Sequence, residues 1–152
     1  MTYANQENWK QAQNAFEQAY RINNNSEEFC IALAEVYHQI NQLDLAELFF
    51  KKAIEIAPEE DISWLSYLEF LIRQRDFDRA FQIIPDAKKY CEDILLELFE
   101  VVLLVLSGKK QNGLINLMLL LEDQVDISRI FEIAPGLKSD PEINALISSF
   151  KN

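Results

Sequence analysis

The sequence predicts an all-α chain: a stack of antiparallel helical hairpins, with divergent C-terminal helices acting as a cap. Three observations predict it. Only three glycines and four prolines occur in 152 residues. That scarcity favours long helices with short turns over a turn-rich β-sandwich. Apolar residues make up 49% of the chain, enough for a continuous core at this length. They also recur at an interval of 34 positions, so that Ala12, Phe16 and Ala19 return as Ala46, Phe50 and Ala53, then as Ala80, Ile84 and Ala87. Trp9, Leu43 and Phe77 keep the same register.

A second series pairs Cys30 with Trp64, Leu33 with Tyr67, Ala34 with Leu68 and Tyr37 with Leu71. Spacings of three and four within each series put its members on one helical face. Each period therefore holds a first and a second helix. One pair is expected over residues 27–40 and 44–56, turning at Asn41 and Gln42 and stopped by Pro58. The next is expected over 61–74 and 77–84, with Pro85 ending or kinking its second helix early. Small residues such as Ala34 and Ala46 permit close approach of paired helices. Large ones such as Tyr37, Phe50 and Trp64 fill the space between hairpins, none of which buries its apolar face alone.

Carried backward, the register puts Tyr3 near the end of a first helix, a turn at Glu7 and Asn8, and a second helix over 8–22. The chain is thus expected to open in mid-hairpin, as a piece of a longer array or with residues 1–7 as an atypical cap. Beyond Ala87 the small residues vanish, and Val102 and Leu114 stand where the close-contact pair should be. Helices over 93–106 and from 112 or 113 to 122 are therefore expected to lie further apart or to cross differently, with a mobile loop at 109–113. The helix 93–106 is apolar nearly all round from Ile94 to Leu106. It should be covered by the chain itself, by a second copy or by a partner. A short helix over 127–133 should end before Pro135 and Gly136. Ser139 or Asp140 then caps a last helix with Pro141 at its first position. The expected organisation is one domain: an incomplete repeat 1–26, repeats 27–60 and 61–92, a divergent repeat 93–126 and capping helices 127–152.

Cys30, Leu33, Ala34 and Tyr37, followed by Ala46, Phe50, Ala53 and Pro58, resemble the tetratricopeptide repeat. That family favours Trp, Leu, Gly, Tyr, then Ala, Phe, Ala, Pro at those places. Cys30 and Ala34 depart from it, and the resemblance runs from about Tyr3 to Ala87. It implies a right-handed superhelical stack, an α-solenoid, whose first-type helices line a concave groove that holds a protein partner. Carried over position by position, that groove comprises Glu28, Ile31, Glu35 and His38, then Ile62, Leu65, Glu69, Ile72 and Arg73, then Leu96, Phe99 and Leu103. An apolar lining with an acidic flank at Glu28, Glu35 and Glu69 suits a protein or peptide bearing apolar and basic residues. Some family members clamp the acidic tails of heat-shock chaperones with Lys, Asn and Arg. Ile31, Glu35, Leu65, Glu69, Phe99 and Leu103 stand at those places here and offer a carboxylate no donor.

Other function classes fare worse. A formal net charge of −11 gives no basic footprint for nucleic acid. The most apolar run, 94–106, is short and carries Glu97 and Glu100, so membrane insertion is not expected. His38 is the single histidine, which leaves no multi-histidine metal site and no Ser-His-Asp triad. Glu59, Glu60 and Asp61 lack the spacing of a calcium loop. No catalytic residue, metal or cofactor is expected. Lys51 and Lys52 are expected to complement a helix C-terminus. Cys30 and Cys91 form no motif and read as reduced, buried thiols of a cytoplasmic protein. The reading is a non-catalytic interaction module. Its alternatives are the repeat region of a larger bacterial glycosyltransferase or methyltransferase, or a small secretion-type chaperone. A homodimer would form through the incomplete N-terminal repeat or helix 94–106.

Overall fold

A computed structural model of the chain describes residues 3–92 and 94–151; among these, helices and short turns account for the backbone and no strand occurs. The helix start expected at Asp93 lies outside the described residues. In order the elements are α1 (Tyr3–Ile22), α2 (Glu27–Gln39), α3 (Leu43–Ile56), α4 (Asp61–Arg73), α5 (Phe77–Tyr90), α6 (Ile94–Leu106), α7 (Lys110–Glu122), α8 (Arg129–Ile133), a 3-10 turn (Pro135–Ser139) and α9 (Pro141–Phe150). The chain divides into two compact units, Met1–Phe70 and Leu71–Asn152, the division falling within α4.

In the first unit α1 is one unbroken helix, so the turn expected at Glu7 and Asn8 does not form. No glycine or proline interrupts Tyr3–Ile22, and nothing local stops the helix. Ser26 caps α2 by accepting from the Phe29 amide at 3.3 Å, with Glu27 and Glu28 in the first turn. Ala34 and Ala46 are fully buried, as their role in close helix pairing requires. Ala53 and Phe50 complete the buried face of α3. Two tyrosine–glutamate bonds tie second-type helices to the first-type helices that follow. Tyr37 Oη donates to Glu17 Oε1, and Tyr67 Oη donates to Glu47 Oε1, both at 2.8 Å. Aromatic rings pack around these bonds: Tyr37 with Phe49 at 5.5 Å, and Phe50 with Phe70 at 5.2 Å. Lys51 and Lys52 lie outside the last turn of α3. They are held laterally instead, Lys51 by Glu47 at 3.0 Å and Lys52 over the Phe49 ring at 4.9 Å.

In the second unit α5 continues through Pro85 to Tyr90, beyond the expected stop. Pro85 lies on the exposed side, where water can satisfy the carbonyl that loses its amide partner. Ala87 is fully buried, so the register survives the proline. α6 buries Leu96, Leu98, Phe99, Val101, Val102 and Leu103, covered within its own unit by α5, α7 and α8. The loop expected at 109–113 is largely helix, since α7 starts at Lys110. The wider separation expected of α6 and α7 is also not found. Gly113 is buried against α6, and a Cβ placed there would stand 2.7 Å from Val105 Cγ2 and 3.3 Å from the Val101 carbonyl oxygen. The small residue is present, one position before the register of the repeat.

One turn geometry recurs between helices. Asn41, Arg75, Gly108 and Gln124 all take positive φ, at 61°, 57°, 87° and 58°. At each, two amides close on the preceding helix: Asn41 on His38 and Gln42 on Tyr37; Arg75 on Ile72 and Asp76 on Leu71; Gly108 on Val105 and Lys109 on Leu104; Gln124 on Leu121 and Val125 on Leu120. This is the left-handed helix stop that satisfies the last carbonyls. Toward the end of the chain Asp140 caps α9, accepting from the Glu142 and Ile143 amides, and Pro141 occupies the first turn as expected. Lys110 bridges back to Asp140 at 2.8 Å and Glu142 at 2.7 Å, tying the start of α7 to the start of α9.

Candidate interaction surface

In the first unit the expected groove residues separate by burial. Ile31 and Leu65 are core side chains, 9% and 6% exposed, because α2 and the first part of α4 turn these positions inward. Glu28, Glu35 and Ile62 are exposed, Ile62 by 54%. His38 and Glu69 are half-buried. The His38 ring meets Phe70 edge-on at 5.3 Å, which brings α2 and α4 together at that point. Glu35, His38 and Glu69 each have interaction partners of their own. The expected groove positions left open on this unit are therefore acidic with one aliphatic side chain, not broadly apolar.

In the second unit Ile72, Leu96, Phe99 and Leu103 are buried and serve the core, while Arg73 is exposed. The apolar first-type positions supply the packing that covers α6, which leaves them unavailable as open lining. Sequence reasoning missed a different surface here. Ile115 and Leu119 on α7 are 54% and 50% exposed. The signal was the run from Leu114 to Leu121, apolar except at Asn116, which shows that some face stays open without showing which.

Glu17, Tyr37 and Cys30 are perturbed by contacts within the fold. Hydrogen bonds from Gln13 and Tyr37 hold the Glu17 carboxyl below its ordinary range. Burial, with the bond to Glu17, pushes the Tyr37 phenol up to about 12. Burial also raises the Cys30 thiol, away from the reactive thiolate. Cys30 and Cys91 are both buried and are not joined in a disulfide. Among the described residues no cluster of His, Cys, Asp or Glu could hold a metal, and no helix is long and apolar enough to cross a membrane.

Residues 3–66 match a family model described as a tetratricopeptide repeat. No curated protein matches the chain. Repeats of this family generally mediate protein–protein interaction and are typically non-catalytic. The matched stretch holds α1 to α3 and the start of α4, with Ala34, Ala46, Phe50, Ala53 and Trp64 buried at the positions the repeat prescribes. Residues 3–66 of this chain belong to the tetratricopeptide-repeat superfamily.

Proposed function

We propose that the chain is a non-catalytic protein–protein interaction module whose first unit receives a basic segment of a partner protein. One observation carries this reading: α2 and the start of α4 expose Glu28, Glu35 and Ile62, beside the half-buried Glu69, on a repeat of an interaction family. Carboxylates steer and select cationic partners, and Ile62 gives an aliphatic anchor. Acidic chaperone tails would meet repulsion on the same face. A cytoplasmic setting fits two buried cysteines that are not joined in a disulfide.

Peptide-display selection against the immobilised chain tests the reading. Sequences that combine Lys or Arg with aliphatic residues should be enriched. Glu28→Lys with Glu35→Lys changes only exposed positions; it should leave the helical circular dichroism intact and weaken the selected peptides about tenfold. Enrichment of acidic peptides, or binding untouched by the charge reversal, would refute it.

A further inference from the structure

The second unit contains a pocket of about 650 Å³ between the end of α5, the start of α6 and the last turns of α7. That volume lies within the range of about 300–1,000 Å³ usual for ligand sites. Leu96, Leu119 and Leu120 form its apolar part. Its charge is one-sided. Glu92, Glu97, Glu100 and Asp123 line it against the single cation Lys88, which is already paired with Glu100 at 2.8 Å. Glu92, Glu97 and Asp123 have no ion-pair partner among the described residues. Leu119 belongs both to the pocket and to an exposed ridge on α7 with Ile115, one turn away. On the other side of that ridge a smaller groove of about 330 Å³ runs along Leu114, Met118 and Leu146.

We infer that the second unit carries its own docking surface, the Ile115–Leu119 ridge and the acidic pocket beside it. Its occupant is a segment of a partner protein that sets aliphatic side chains next to lysine or arginine. The exposed ridge offers the apolar contact, and the unneutralised carboxylates choose the charge of what lies beside it. A long cationic side chain suits the pocket, since its methylene stem can lie on the exposed Leu119 while its head reaches Glu97 or Asp123. A second copy of this chain fits poorly. A two-fold contact over the ridge would oppose the same carboxylates, and the chain as a whole carries −11. The surface shares no residue with the face on α2 and α4, so either can fail alone.

The test uses the full chain and a fluorescent helical probe peptide with Leu at i and i+4 flanked by Lys, against the same peptide with Gln for each Lys. Amide chemical shifts should move at Leu96, Asn116, Leu119 and Leu120. Glu97→Lys with Asp123→Lys should weaken the Lys probe about tenfold. Leu119→Gln, at an exposed position, should weaken it about fivefold. Glu28→Lys with Glu35→Lys should leave these shifts in place and the affinity of this site within about twofold. Equal binding of the Gln probe, shifts confined to α2 and α4, or spermidine reproducing the whole shift pattern would each overturn the inference.

Discussion

Gly113→Ala tests whether α6 and α7 pair by close approach. In an exposed helix the substitution would stabilise by about 1 kcal/mol, because alanine is the better helix former. At this site the added Cβ stands 2.7 Å from Val105 Cγ2, well inside the ~3.5 Å that two carbons prefer. Val105 is β-branched and held to one dominant rotamer in a helix, so it cannot simply swing away. The Val101 carbonyl oxygen and the Val105 nitrogen, both at 3.3 Å, are backbone and yield only if the helices separate. Overpacking of this kind costs about 1–3 kcal/mol. With the propensity gain subtracted, the net loss is about 0–2 kcal/mol. Urea unfolding followed by far-ultraviolet circular dichroism reads it. Val105→Ala in the Gly113→Ala background removes the nearest contact and should restore part of the loss, a coupling of about 0.5–1.5 kcal/mol in a double-mutant cycle. A Gly113→Ala chain more stable than its parent, or a cycle without coupling, would refute the reasoning.

Two further outcomes follow from the turns and from the Tyr37–Glu17 bond. Gln124 holds φ 58° without the freedom of glycine, so Gln124→Gly should stabilise by about 0.5–1 kcal/mol, while Gly108→Ala, at φ 87°, should cost about 1 kcal/mol; opposite signs in thermal unfolding check both. Glu17 has a depressed pKa in the folded chain, so its contribution is present above the unfolded value of about 4.3 and is lost as pH falls through the folded value. Tyr37→Phe should therefore cost about 1.5 kcal/mol at neutral pH and about half that once Glu17 is protonated. A penalty that does not shrink in thermal unfolding as the pH is taken from 7 down through the titration of Glu17 contradicts the role given to the bond.

Much of the fold was legible because the repeat is written in residue size. Alanine at 34, 46, 53, 80 and 87 marks close helix contacts, and all five are fully buried. Pro85 does not end its helix, since the effect of proline depends on whether the orphaned carbonyl faces water, which a single chain position does not reveal. Gly113 was missed because the close contact slid one place against the register, from Leu114 to its neighbour. The groove was the least legible part. The family pattern assigns Ile31, Leu65, Leu96 and Phe99 to a side of each helix, but whether that side is open depends on what packs over it. Here each is buried. The ridge at Ile115 and Leu119 escaped because α7 is apolar on several faces, which leaves no amphipathic contrast from which to read an outward direction.

The left-handed turn gives this chain a ruler that outlasts its sequence signature. Asn41 and Arg75 are 34 residues apart, and Arg75 and Gly108 are 33 apart, although the last of these lies well beyond residue 66, where the family match stops. The closure is made by main-chain groups, so Asn, Arg and Gly serve in turn and drift in side chains leaves it standing. The turn within a hairpin is therefore a more durable marker in a diverged array than its alanines, while the same closure at Gln124, between α7 and α8, stands outside that spacing. It also marks natural seams: a hairpin spliced in or cut out between two of them would meet the same main-chain junction on either side.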